Sequence, residues 1–342
     1  LSATGSQKLP HLSKDGPRSS SSNSSSSSCG AALGEPLSSS FPFQNLTQLA
    51  ILEEGHYGVV LKMAAVGLVT PGVTTEVAVK MLRSNASAVD HAEFRGEIAL
   101  VRQVHHPNVV ACLGACTALA TPPCLLLELS PMGSLQHYLR NNCHPLLRPV
   151  DRVSILHQIA KGMVALHVSY GIVHRDLATR NVLLFPPLVA KVSDFGLSRY
   201  VHRTQGAEMR ATKDSSGGSS SSSSSSSHRP DTEDYYRLVT ERDLPVRNTA
   251  PEALNTLTWT FASDVYAFGI TLFEVVSNAA QPFAHVKDDI VFLSTVIFDA
   301  TVDLPAALGP LPATCPPALL PLLRQCLHRI VSQRPTFRVL ES

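Results

Sequence analysis

A lysine closing an apolar run, Val77-Ala78-Val79-Lys80, precedes His174-Arg175-Asp176-Leu177-Ala178-Thr179-Arg180-Asn181 and then Asp194-Phe195-Gly196. In that order the three pieces supply a cation for phosphate oxygens, a carboxylate able to accept a hydroxyl proton, and two oxygen-bearing side chains suited to a hard divalent cation. Those are the parts needed to move the γ-phosphoryl group of ATP onto a hydroxyl. Each has an ordinary alternative when read alone. A lysine ending a strand is usually solvated, and a bare His-Arg-Asp tripeptide is usually a surface loop. Their occurrence together, in one order, carries the chemistry.

Composition sets the frame around those residues. At 342 residues the chain has room for one large or two modest domains, and its 44% hydrophobic content is enough for real cores. The formal net charge is +1 with no Lys/Arg block, so no nucleic-acid partner is expected. Seven cysteines form no Cys-x-x-Cys pair and no Cys/His zinc spacing. Cys112 and Cys116 flank Leu113-Gly114-Ala115, which reads as a buried strand, and they are expected to be reduced core thiols rather than a ligand pair. No apolar run reaches the roughly 18 residues a membrane helix requires, and no signal peptide is visible. The chain begins at Leu1 and stops at Leu340-Glu341-Ser342, inside what reads as a final helix. It therefore reads as a fragment, cytoplasmic or the cytoplasmic part of a membrane receptor, with membrane association expected only through upstream sequence.

Residues 1–44 are rich in Ser, Pro and Gly, with a Ser-dominated run at 19–28, and are expected to be a disordered linker or a phosphorylation tail. From residue 45 the texture changes. Short β-rich runs at 49–54, 58–66, 75–82, 109–116 and 124–129 read as five strands. Residues 88–104 read as a helix with Val89, Phe94, Ile98 and Val101 near one face. Beyond Gly133 helices dominate, at 150–170, 261–276, 290–298 and 317–328. The expected fold class is α+β, with a small five-stranded lobe carrying one helix (45–129), a larger mainly α lobe (130–342), and a ligand cleft between them.

With these motifs in this order the chain resembles the protein kinase catalytic domain, over roughly residues 46–340. Its fold is then expected to be bilobal, its cofactors ATP and Mg2+. The resemblance implies catalytic roles for Asp176 as base, for Arg180, and for Lys80 held against the α- and β-phosphates by Glu97, with Glu93 the alternative partner. Asn181 and Asp194 would bind the metal. The nucleotide would lie among Leu52, Gly55, Gly58, Val60, Ala78 and Leu183, with Leu127 as gatekeeper and the backbones of Glu128 and Ser130 bonding adenine. Glu53 stands where the family's first loop glycine would be, leaving Gly55 and Gly58 for close backbone approach to phosphate. Phe195 and His174 would stack beneath the helix bearing Glu97, in a column completed by Val101 and Cys112.

Within the family the catalytic loop is similar to that of the tyrosine kinases. Ala178 stands where serine/threonine kinases place Lys, and Arg180 follows two residues later. Leu244-Pro245-Val246-Arg247-Asn248 resembles the platform that supports a substrate tyrosine ring, although Asn248 replaces the usual Trp, for which Trp259 is a candidate substitute in packing. Asp234-Tyr235-Tyr236-Arg237 resembles the activation segment of insulin-receptor and neurotrophin-receptor kinases. Phosphate on Tyr236 would add a charge of about −1.5 to −2, to be met by Arg175 and Arg199. A Ser/Gly-rich insertion at about 205–230 is expected to bulge without disturbing the core. Asp264 is expected to tie down the catalytic-loop backbone, and Arg334 to pair with Glu252. The implied partners are protein substrates bearing tyrosine hydroxyls. A dual-specificity or serine/threonine enzyme, and a pseudokinase acting as a scaffold, are the alternatives.

Overall fold

The computed structural model describes residues 40–55, 58–118, 121–141, 147–201 and 245–342. The leader up to residue 39, the insertion at 205–230, and Tyr235 and Tyr236 lie outside the described residues.

Strands β1 (Leu46–Glu54), β2 (Gly58–Val66) and β3 (Thr74–Leu82) run as an antiparallel meander. Helix α1 (Ala88–Val101) follows, then β4 (Cys112–Cys116) and β5 (Cys124–Glu128), completing a sheet in the order β1-β2-β3-β5-β4. Alternation along β2 and β3 sends Leu61, Met63, Ala65, Val77 and Val79 to one face, where they form a small core with Cys116, Cys124 and Leu126. The sheet's β4 edge is covered from the chain's own leader. Phe41 N donates to Ala115 O (2.8 Å), Thr117 N donates to Ser40 Oγ (2.8 Å), and Phe41 and Phe43 pack on the small core. Such covering blocks edge-to-edge pairing. Residues 40–43, expected in the linker, are thus packed on the sheet.

Register shifts decide which way several side chains point. Leu113 is an extra residue in β4, lying between the pairs Cys112↔Leu127 and Gly114↔Leu126. This bulge sends Cys112 to the large core and Cys116 to the small one, so the two thiols do not face each other. Helix α1 opens on a capping box, with Asp90 N donating to Ser87 Oγ (3.2 Å) and Ser87 N donating to Asp90 Oδ2 (2.7 Å). Phe94, Ile98 and Val101 are buried, but Val89, expected on the same face, is 66% exposed. Five residues turn a helix by roughly 500°, which leaves Val89 roughly 140° away from Phe94.

The second lobe is mainly helical. It begins with α2 (Leu135–Arg140) and α3 (Pro149–Val164), and α3 continues as π-helical turns over Ala165–Tyr170. The short strands β6 (Ile172–Val173), β7 (Val182–Phe185), β8 (Val189–Val192) and β9 (Arg199–Tyr200) pair as β6–β9 and β7–β8. Then come α4 (Pro251–Thr256) and α5 (Phe261–Val276), the latter buried throughout from Ser263 onward and the central post of this lobe. The remaining helices are α6 (Asp289–Phe292, extended by π turns to Ile297), α7 (Leu304–Ala307), α8 (Leu319–Cys326) and α9 (Phe337–Glu341).

The lobes are stitched together where the run to β4 crosses β8. Val110 N donates to Val192 O and Val192 N to Asn108 O, both at 2.9 Å. The strand expected at 109–116 accordingly begins only at Cys112, since Val109 bridges to Val192 instead. Gly162 on α3 permits this crossing, because a Cβ there would lie 2.5 Å from Asn108 O. The arrangement is the expected two-lobed α+β fold.

Candidate active site

Strand pairing places Lys80 opposite Val60 on one side and Leu125 on the other, pointing its amine toward α1 and the Asp194 turn. Lys80 Nζ lies 2.7 Å from Glu97 Oε1 and 2.8 Å from Asp194 Oδ1. Glu97 is therefore the partner, while Glu93, one turn earlier, lies 3.6 Å from Arg199. Burial pulls the Lys80 pKa down, but the charges of Asp194 and Glu97 outweigh it and the amine is held firmly protonated. The Lys80 charge is the main reason the Asp194 carboxyl is held down at about 2. Burial pushes the Glu97 carboxyl up, against the pull of Lys80. The lysine thus bridges an acid of the first lobe and one of the second.

Asp194 reaches this position through a left-handed backbone (φ +60°), with Gly196 N donating to its Oδ1 (3.2 Å). A Cβ on Gly196 would make only ordinary contact, at 3.4 Å, with Asp194 Oδ1 and Lys80 Nζ. Phe195 is buried with its ring centroid 5.4 Å from that of His174, in the same core as Val101, and Cys112 packs against that core.

The catalytic loop folds back on its own carboxylate. Asn181 Nδ2 donates to both Oδ2 and the carbonyl oxygen of Asp176 (2.8 Å each), and Arg180 Nη2 donates to Asp176 Oδ1. Burial raises the Asp176 pKa above the ordinary carboxylate value, with Arg180 opposing. With Nδ2 committed to Asp176 and the backbone oxygen accepting from Ser193 N and Oγ, the Asn181 side-chain oxygen Oδ1 is turned to other bonds. Asn181 Oδ1 and the half-exposed Asp194 carboxylate are hard oxygen donors of the kind Mg2+ takes. Among the described residues no group of three or more His, Cys, Asp or Glu gathers to hold a metal alone.

Helix α5 anchors the loop from below. Asp264, 1% exposed, accepts from His174 N (2.7 Å, Oδ2) and Arg175 N (2.9 Å, Oδ1), as expected from its position in the sequence. Its Oδ2 also lies 2.8 Å from His167 Nε2, a partner with no sequence signal. A second carboxylate of the same helix, Glu274, accepts from both Thr179 N (2.9 Å) and Thr179 Oγ1 (2.8 Å). Nothing in the sequence pointed to Glu274.

The expected nucleotide residues line up through strand register. Val60 pairs with Lys80, and Ala78 pairs with Leu127. Leu52 is the extra residue between the pairs Ile51↔Leu61 and Glu53↔Val60, and this bulge turns it off the regular strand alternation. Gly58 has a structural requirement of its own, since a Cβ there would lie 2.3 Å from Met81 O across the β2–β3 pair. Gly55 has no such crowding, and its carbonyl accepts from Arg83 Nε (3.1 Å). Where the lobes join, the Glu128 side chain binds Lys191 of β8 through both oxygens (2.7 Å each) and accepts from Ala111 N (2.7 Å). Ser130 Oγ donates to Leu184 O, next to Leu183, which pairs with Lys191.

Of the regulatory set both arginines are described: Arg199 faces Glu93, and next to the catalytic-loop carboxylate lies Arg175. Its guanidinium carbon lies 4.0 Å from the centroid of the Trp259 ring, and its backbone is left-handed (φ +72°). Trp259 therefore stacks on this arginine. Asn248, where the family has Trp, is buried with its Nδ2 lacking a hydrogen-bond partner. Arg334 meets Glu252 at 2.6 and 2.8 Å, as expected.

A family model described as protein tyrosine and serine/threonine kinase matches residues 46–217 and 225–342. Among curated proteins, fibroblast growth factor receptor 1 of Pleurodeles waltl is 32% identical over 306 residues, and fibroblast growth factor receptor 1 of Xenopus laevis is 33% identical over 306. Each alignment covers 84% of this chain and 33% of the relative, so the chain spans about a third of the length of the curated relatives it matches. No helix among the described residues is long and apolar enough to cross a membrane.

Proposed function

The chain belongs to the protein tyrosine and serine/threonine kinase family, and on that premise we propose that it transfers the γ-phosphoryl group of ATP, in the presence of Mg2+, to tyrosine hydroxyls of proteins. The observation that carries this reading is the meeting of Lys80, Glu97 and Asp194 within 2.8 Å across the lobes. Asp176 is held nearby by Arg180 and Asn181. Lys80 would bind phosphate oxygens while Glu97 holds its ammonium in place. Asn181 and Asp194 would hold Mg2+, which supplies charge neutralisation for the phosphates when bound. Asp176 would orient the incoming hydroxyl and accept its proton, and its raised pKa makes it a stronger proton acceptor than an ordinary carboxylate. Val60, Ala78, Leu127 and Leu183, with Leu52, would enclose the adenine, and the backbones of Glu128 and Ser130 would bond it. Gly55 and Gly58 would let the loop approach the phosphates.

The tyrosine preference rests on Ala178 and Arg180 in the catalytic loop, in line with the receptor relatives. Phosphorylation of Tyr235 or Tyr236 in trans or in cis, read by Arg175, is the proposed regulation. Asn248 favours a second reading, a dual-specificity or serine/threonine enzyme, because it leaves a buried polar donor where a Trp would support the substrate ring. A pseudokinase scaffold is disfavoured by the presence of all four of Lys80, Asp176, Asn181 and Asp194. Phosphoamino-acid analysis after incubation with Mg2+ and ATP separates the three. Phosphotyrosine is expected; phosphoserine alone, or no incorporation, overturns the proposal.

A further inference from the structure

Helix α5 presents two buried carboxylates to the catalytic loop, one near each end of the helix, and only the first was legible from sequence. Asp264 holds the loop where it begins, at His174 and Arg175. Glu274, 4% exposed, holds it at Thr179, which is fully buried. Both donors of Thr179, its amide and its hydroxyl, go to the single oxygen Oε2 of Glu274, at 2.9 and 2.8 Å. Between these anchors Thr271 Oγ1 approaches Leu177 O at 3.4 Å. The loop is laid along the helix, with Asp176 between its two fixed points.

The second anchor has a specific consequence. Thr179 opens the 3-10 turn Thr179–Asn181, so the next two residues are Arg180 and Asn181, the pair that grips the Asp176 carboxylate. A buried carboxylate fixed on a rigid helix tolerates little drift in its donors, because an unmet charge in the interior is costly. Resting on the kinase reading above, we infer that Thr179 is a positioning residue. Its hydroxyl bond to Glu274 sets the turn so that Arg180 and Asn181 meet Asp176 in a productive arrangement.

The hydroxyl can be removed at nearly constant volume by Thr179→Val and retained by Thr179→Ser. With the full chain, Mg2+-ATP and a tyrosine peptide, Thr179→Val is expected to lower kcat by about tenfold to a hundredfold, the range that follows from a small misplacement of catalytic groups. KM for ATP should stay within about twofold, since the nucleotide-facing strands are untouched. Thr179→Ser should restore most of kcat. Amide hydrogen exchange over residues 177–181, measured without nucleotide, should quicken in Thr179→Val and return in Thr179→Ser, while exchange over α3 stays unchanged. Equal kcat and equal exchange for Thr179→Val and wild type would overturn the inference, as would equal losses in the Val and Ser variants. If wild type shows no phosphoryl transfer, the exchange comparison still decides the positioning role, and it is the kinase reading that fails.

Discussion

Replacing Asp264 by Asn tests whether the α5 anchor governs both stability and catalysis. The wild-type carboxylate, 1% exposed, receives two backbone amides and faces His167 Nε2. Asn keeps the shape but turns one oxygen into a donor. The least damaging orientation puts the new NH2 at the Oδ1 position, against Arg175 N, because Oδ2 serves two partners. That loses one charge-assisted hydrogen bond, worth about 2 kcal/mol, and weakens the two that remain by about 0.5 kcal/mol each. The total is about 3 kcal/mol, the low end of the cost of breaking a buried charged network. At about 2–4 °C per kcal/mol, thermal unfolding should shift down by about 6–12 °C. Arg175 also loses the bond that supports its left-handed backbone, so the neighbouring Asp176 should drift and kcat should fall by at least about tenfold. Calorimetry and steady-state kinetics on the same preparation read both effects. An unfolding temperature within about 2 °C of wild type, with unchanged kcat, would refute the reasoning.

The strand-pair glycine offers a second check. In Gly58→Ala the new Cβ would sit 2.3 Å from Met81 O, so β2 and β3 must separate locally. A destabilisation of about 1–3 kcal/mol is expected in denaturant melts, and a variant as stable as wild type would contradict the packing. Lys80→Met removes the main cause of the depressed Asp194 pKa, so that carboxyl should climb from about 2 toward the ordinary range in an NMR titration. No movement would mean that Lys80 does not set it. Because the folded value is depressed, the Lys80–Asp194 contribution to stability is full above the unfolded carboxyl pKa and is lost as pH falls through about 2. Arg180→Ala should move the acid limb of the kcat–pH profile upward, since Arg180 favours ionised Asp176 and the base must be ionised to work. A downward shift would contradict that sign.

The candidate site was legible because its residues lie in contiguous motifs. Lys80, Asp176, Asn181 and Asp194 each sit in a run whose composition announces it, and five strands and most helices followed from periodicity. What escaped depends on contacts between distant segments or on single-residue register shifts. The bulge at Leu113 separates Cys112 from Cys116, and the one at Leu52 redirects that side chain, yet a one-residue insertion leaves no mark in composition. Val89 was misplaced because its apolar character suggested a face that helical geometry denies it. Val109 looked like strand and serves as an inter-lobe bridge, a role set by Val192. His167 and Glu274 are ordinary helix residues until the catalytic loop is laid against α5. The covering of β4 by Ser40 and Phe41 was hidden by the Ser-rich composition of the segment they end.

The most direct test compares wild type with Asp176→Asn for nucleotide affinity and for phosphotyrosine formation on one peptide, using the same protein samples. The predicted result is an unchanged Kd for Mg2+-ATP with transfer reduced to background, since the substitution spares Lys80, Asn181 and Asp194. Undiminished transfer by Asp176→Asn would contradict the assignment of this groove as the place where the hydroxyl gives up its proton.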